Sequence, residues 1–159
     1  MQVFGLAGWS GSGKTTLVTR LLPALRQHGL SVSTIKHAHH DFDVDQPGKD
    51  SYRHREAGAS EPSLEALLRH LSPVDLVIAE GFKRAAIPKL EIHRADLGKP
   101  LLAPEDANIV AIASDRPISD LQGEGIGTLP RFALDDVGGI AAFIIRHLGL
   151  TLRRRGAAE

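Results

Sequence analysis

The run Gly8-Trp9-Ser10-Gly11-Ser12-Gly13-Lys14-Thr15 sets a lysine and a hydroxyl behind a glycine-rich stretch. It matches G-x-x-x-x-G-K-[ST], a phosphate-binding loop, at every fixed position. Glycines let the chain curl until several backbone N–H groups point at one anion. A helix N-terminus behind them adds unpaired donors and partial positive charge. Lys14 is placed to reach β- and γ-phosphates, and the Thr15 hydroxyl to ligate Mg²⁺. Ser10, Gly11, Ser12, Gly13, Lys14, Thr15 and Thr16 are therefore the expected phosphate contacts. This chemistry asks for a nucleoside triphosphate with Mg²⁺ and does not name the base.

Two further acids belong with it. Glu80 ends an apolar run and precedes Gly81. At the buried end of a strand it would serve Mg²⁺ or orient an attacking water, and as Glu it suits a water-mediated contact. Asp115 follows a second apolar run through Ala113-Ser114. There an acid could accept the N1 and N2 protons of guanine, a pairing adenine does not offer, or simply make a turn before Arg116-Pro117. The segment from His37 to Asp45 holds His37, His39, His40, Asp41, Asp43 and Asp45. It reads as a transition-metal site, as a loop in which Asp41 helps hold Mg²⁺ near a γ-phosphate, or as a plain polar loop. Lys36, Lys49, Lys83 and Arg84 are candidate anion contacts.

The elements that must position these residues follow from periodicity. Residues 2–7 are apolar, a buried strand leading into the loop. Leu17, Val18, Leu21, Leu22 and Leu25 recur at helical spacing, so a helix spans 14–28, kinked at Pro23 and stopped by Gly29. A second strand is expected over 30–36 and a capped helix over 50–57. Another helix is expected over 62–71, with Leu64, Leu67, Leu68 and Leu71 on one face. Residues 74–79 form a strand delivering Glu80, and 108–113 a strand delivering Asp115. The alternation in 90–93 reads as a further strand at a sheet edge, 131–133 as a short strand, and 136–148 as a last helix. Strands alternating with helices give a three-layer α/β P-loop NTPase fold, a mostly parallel sheet flanked by helices. The domain would cover 1–150, leaving 151–159 as a basic tail with Arg153-Arg154-Arg155.

The length of 159 residues suits one domain, and a formal net charge of zero gives no global pull toward nucleic acid or an anionic membrane. There are no cysteines, which excludes disulfides and thiolate metal sites and fits a reducing, cytoplasmic compartment. No apolar run is long enough to span a bilayer.

Several stretches together resemble a known family. They are Trp9 to Thr16, Ile35-Lys36-His37-Ala38-His39-His40-Asp41-Phe42-Asp43-Val44-Asp45, Pro47-Gly48-Lys49-Asp50-Ser51-Tyr52, Glu56-Ala57-Gly58-Ala59, Glu80-Gly81-Phe82-Lys83 and Pro88-Lys89. The chain is similar, over nearly its whole length, to the molybdopterin-guanine dinucleotide biosynthesis protein B family (MobB). The phosphate loop alone is shared by many families; the His/Asp loop running into Pro-Gly-Lys-Asp-Ser is more specific. The resemblance implies a GTP-binding adaptor, at most a weak GTPase, that assists a MobA-type guanylyltransferase in joining GMP to molybdopterin. It implies a homodimer. By position it gives Lys14 and Glu80 the catalytic roles, Gly11 to Thr16 the phosphates, Thr15 and Glu80 the Mg²⁺, and Asp115 the guanine. In one place the chain departs from the family pattern. The family carries a longer, strand-forming segment after Glu-Ala-Gly-Ala, whereas Ser60 here runs straight into Glu61-Pro62. Either the segment is lost or residues are missing between Ser60 and Glu61; the short turn favours the second. On the residues alone, two other functions fit: a small-molecule kinase using Asp41 or Asp43 as base, and a metallochaperone GTPase using His37, His39 and His40.

Overall fold

The computed structural model describes residues 1–37, 63–116 and 125–151. The expected helix over 50–57, the Ser60–Glu61 junction, Asp41 with the rest of the His/Asp loop beyond His37, Lys49, and the arginines of the tail lie outside the described residues. Six strands form one sheet: β1 (Gln2–Ala7), β2 (Val32–Lys36), β3 (Leu76–Glu80), β4 (Lys89–His93), β5 (Ile109–Ser114) and β6 (Arg131–Ala133). Their order is β2-β3-β1-β4-β5-β6, and every pairing is parallel. Among the described residues three α-helices accompany them: α1 (Lys14–Gln27), the short α2 (Leu64–Leu68) and α3 (Val137–His147).

One face of the sheet is apolar because alternate residues of each strand are apolar. Phe4 and Leu6 of β1, Leu76 and Ile78 of β3, and Leu90 and Ile92 of β4 pack with Leu17, Leu21 and Leu25 of α1 and Ile140 and Ile144 of α3. Each such side chain contributes roughly 1.5–3 kcal/mol by leaving water. Helix α1 runs through Pro23, whose missing N–H leaves the Thr19 carbonyl without its usual partner. Asp136 starts α3, accepting the Gly139 amide at 3.0 Å. Helix α2 is shorter than its leucine spacing predicts. Ser63 caps it through the Ala66 amide, but only Leu64 is buried, so little packing extends it.

The expectation of an edge position for residues 90–93 is corrected: β4 lies in the middle of the sheet, between β1 and β5. Its polar alternation marks a second buried face. Lys89, Glu91 and His93 are all buried. Lys89 Nζ donates to Asp106 Oδ2 at 2.6 Å and to the Lys83 carbonyl at 2.7 Å. Glu91 accepts the amides of Leu102 and Ala103 at 2.7 and 2.8 Å, fastening the 3₁₀ turn Ala103–Glu105 over this face. Burial pushes the Glu91 carboxyl up; the two amides pull it back only in part. Gly5 on β1 makes room for the lysine, since a Cβ there would stand 2.5 Å from Lys89 Cγ.

Candidate nucleotide site

The parallel order brings the carboxyl ends of β1, β3, β4 and β5 to one edge, where ligands of such sheets bind. The loop after β1 ends at Gly13, which precedes α1 with φ 95°, a conformation favouring glycine. The first intrahelical bond is Leu17 to the Gly13 carbonyl, and no side chain caps the helix. The amides of Lys14, Thr15 and Thr16 therefore have no helical acceptor and point toward an anion position. Ser10 and Gly11 are exposed at the loop tip, whereas Ser12 is buried at 1% exposure, its amide donating to the Trp9 carbonyl at 3.1 Å.

Lys14 Nζ donates to the carbonyls of Gly8 and Trp9 at 3.0 Å each, which holds the ammonium over the loop. Burial lowers its pKa; Glu80 opposes that, and Lys83 and Lys36 add to it. Thr15 Oγ1 donates to Glu80 Oε1 at 2.7 Å. Lys36, at the end of β2, reaches Thr15 Oγ1 at 3.3 Å and Glu80 Oε1 at 4.0 Å. Glu80 itself is 7% exposed. Register explains this meeting: Lys36 pairs with Glu80 across β2 and β3, and Leu6 with Glu80 across β1 and β3. The oxygen pair fits Mg²⁺. Both atoms are hard donors, and two adjacent oxygens of an octahedral ion with 2.0–2.1 Å bonds lie about 3 Å apart.

Asp115 sits across the loop from Glu80, beyond β4 at the end of β5, and does not join the Thr15–Glu80 group. Its Oδ1 accepts the Ala95 amide at 3.1 Å. It lines an open cleft of about 360 Å³ with Ser12, Gly13, Thr16, Arg20, Arg94 and others. Trp9 packs at the loop mouth: its Nε1 donates to the Pro100 carbonyl at 2.8 Å, with Lys83 Nζ 4.9 Å and Lys99 Nζ 5.5 Å from the ring. His37 lies against Phe82, ring centroids 5.2 Å apart. Among the described residues no three His, Cys, Asp or Glu form a metal-holding group.

Sequence reasoning missed Arg94, whose Nε donates to the Ser12 carbonyl at 3.0 Å and braces the phosphate loop from β4. A cation directly after a strand at the ligand edge was the available signal. Lys99 and Glu91 were also missed, because their contacts depend on residues distant in sequence.

Comparison with known proteins gives the family. The family model described as molybdopterin guanine dinucleotide synthesis protein B matches residues 3–65 and 59–115. The molybdopterin-guanine dinucleotide biosynthesis adapter protein of Escherichia coli is 37% identical over 171 aligned positions, covering 93% of this chain and 94% of that protein. Its Haemophilus influenzae namesake is 40% identical over 139 positions, covering 74% and 77%. The crystal structure of Bacillus subtilis MobB superposes with a TM-score of 0.61 at 26% identity, covering 93% of this chain and 98% of that one. The six-stranded parallel sheet, the phosphate loop and these matches place the chain in the MobB family.

Proposed function

We propose that this protein is a GTP-binding adaptor in the assembly of molybdopterin-guanine dinucleotide, acting with the enzyme that attaches GMP to molybdopterin. The observation that carries the nucleotide part is the Thr15–Glu80 hydrogen bond at 2.7 Å beside the uncapped α1 N-terminus and the Lys14 ammonium. The adaptor part is supported by family membership and by relatives named as adapter proteins.

In this reading the amides of residues 11–16 and Lys14 hold the phosphates. Thr15 and Glu80 hold Mg²⁺ directly or through water, and bound Mg²⁺ would neutralise charge on the β- and γ-oxygens. Lys36 screens Glu80 and stands ready to meet the terminal phosphate. Asp115 accepts the guanine N1 and N2 protons. Any hydrolysis is weak, with Glu80 orienting water. The homodimer and the cytoplasmic location belong to the same proposal. Among the described residues no helix is long and apolar enough to cross a membrane.

The test is association with the guanylyltransferase, followed by calorimetry with Mg²⁺ and either GTP, GDP, ATP or no nucleotide. Binding that requires GTP and is lost in Lys14→Ala supports the adaptor. Nucleotide-independent association, or rapid phosphoryl transfer to an added small acceptor, overturns it.

A further inference from the structure

We propose that Arg94 reads the carbonyl edge of guanine, opposite Asp115, and is a specificity-determining residue of the base pocket. The proposal rests on the guanine-nucleotide reading above and adds to it the group that recognises O6.

Arg94 follows β4, the strand lying between β1, which carries the phosphate loop, and β5, which carries Asp115. That position lets two consecutive residues touch both halves of the site. Arg94 Nε donates to Ser12 O at 3.0 Å, and the next amide, Ala95 N, donates to Asp115 Oδ1 at 3.1 Å. The guanidinium lies along the last glycine of the loop. A Cβ on Gly13 would stand 3.3 Å from Nη2, 3.4 Å from Nε and 3.8 Å from Cζ. Arg94 and Asp115 both line the cleft beside the loop.

The remaining hydrogen-bonding capacity of the two side chains is complementary. A guanidinium has five N–H donors, of which the Ser12 contact takes one. No carboxylate among the described residues forms an ion pair with Arg94, so its Nη groups remain for a ligand. A carboxylate has about four lone-pair sites, and Ala95 uses one on Asp115. The cleft thus holds both acceptors and donors. Guanine offers the matching pattern: N1–H and N2–H₂ donors next to the O6 acceptor, with N7 beyond. Arginine paired to O6 and N7 is the commonest specific contact to this base. Adenine sets an amine where guanine has O6 and lacks the N1 proton, so it meets donor with donor and leaves Asp115 unpaired. The opposing account makes Arg94 only a brace of the phosphate loop.

A cycle of protein variant against base analogue separates the two. The full chain, Arg94→Ala and Arg94→Lys are titrated with Mg²⁺ and GTP, 6-thio-GTP, ITP or ATP, with thermal melts to confirm folding. In 6-thio-GTP a sulfur, a weak acceptor, replaces O6; ITP lacks only the N2 amine. Wild type should bind GTP about tenfold or more tightly than 6-thio-GTP. Arg94→Ala should lose that difference through weaker GTP binding, while its GTP-to-ITP ratio, set by Asp115, stays at the wild-type value. Arg94→Lys, which keeps an ammonium donor for O6 but not the planar fork, should keep more of the GTP preference over 6-thio-GTP than Arg94→Ala does. Equal loss of GTP, 6-thio-GTP and ITP in Arg94→Ala overturns the proposal and leaves only the brace. A wild type that binds ATP as tightly as GTP overturns the guanine reading itself, and the Arg94 assignment with it.

Discussion

Replacing Asp106 by Asn removes one half of a buried ion pair while keeping the rest of the residue. Oδ1 would still accept the Asn108 amide, now at 2.9 Å; the carboxylate oxygen 2.6 Å from Lys89 Nζ would be lost. An amide NH₂ in its place would face an ammonium. Lys89, 1% exposed, would keep only the Lys83 carbonyl. Stripping one partner from a buried pair costs about 3–5 kcal/mol. The Asp106 side chain is 24% exposed, so water screens part of this and about 3 kcal/mol is the expected loss. For a chain of this size that is a Tm drop of roughly 6–12 °C, read by a circular dichroism melt. The pH profile gives a second readout. Burial raises the Asp106 pKa, but the Lys89 and Asn108 contacts more than offset it, and the folded value lies below the ordinary 3.8. A carboxyl depressed by folding adds stability that is present above its unfolded pKa and lost as pH falls through the folded one. The gap between wild type and variant should therefore close as pH drops below 3.8. The double variant Lys89→Met/Asp106→Asn should recover most of the loss, because no charge is stranded. A Tm drop of less than about 2 °C, or a double variant no better than Asp106→Asn, would refute the reasoning.

Three other outcomes follow from the site. Lys14 must be an ammonium to hold phosphate, and burial lowers its pKa from 10.5, so triphosphate affinity should decline with rising pH before an ordinary lysine titrates. Affinity measured from pH 7 upward should begin to fall at lower pH, and fall more steeply, in wild type than in Lys14→Arg, which shares only the loss of the guanine N1 proton; identical profiles contradict it. Glu80→Gln keeps an acceptor for the Thr15 hydroxyl but loses the charge, so the Mg²⁺ needed for half-maximal GTP binding should rise about tenfold or more. An unchanged Mg²⁺ requirement would remove Glu80 from the metal. Trp9 is the single tryptophan and is tied to Pro100 at the loop mouth, so saturating GTP should shift its emission; unchanged emission would separate the loop from the ligand.

What the sequence made legible was local. Gly8 to Thr15 joins an apolar strand to an amphipathic helix, and a motif contained in eight residues needs no distant partner to be read. The positions of Glu80, at the end of β3, and Asp115, just past β5, were legible because both strands are too apolar to be anything but buried. The place of β4 was not. Its alternation read as an edge strand, yet Lys89 and Glu91 are buried and bonded to residues 83, 102, 103 and 106, contacts that alternation does not encode. The leucines of the 62–71 stretch overstated a helix for the reverse reason: their periodicity was present, and burial beyond Leu64 was not. Arg94 escaped notice because its role depends on β4 standing between β1 and β5.

The central claim is that the cleft beyond the phosphate loop reads guanine through Asp115. Asp115→Asn tests it with GTP and XTP side by side. The new Oδ1 can still accept the Ala95 amide, which leaves Nδ2 as a donor where a carboxylate oxygen stood. That donor matches the 2-carbonyl of xanthine and opposes the 2-amine of guanine. Wild type should prefer GTP, and Asp115→Asn should prefer XTP, each by about tenfold or more. A variant that binds GTP as wild type does, with no gain for XTP, would contradict the account.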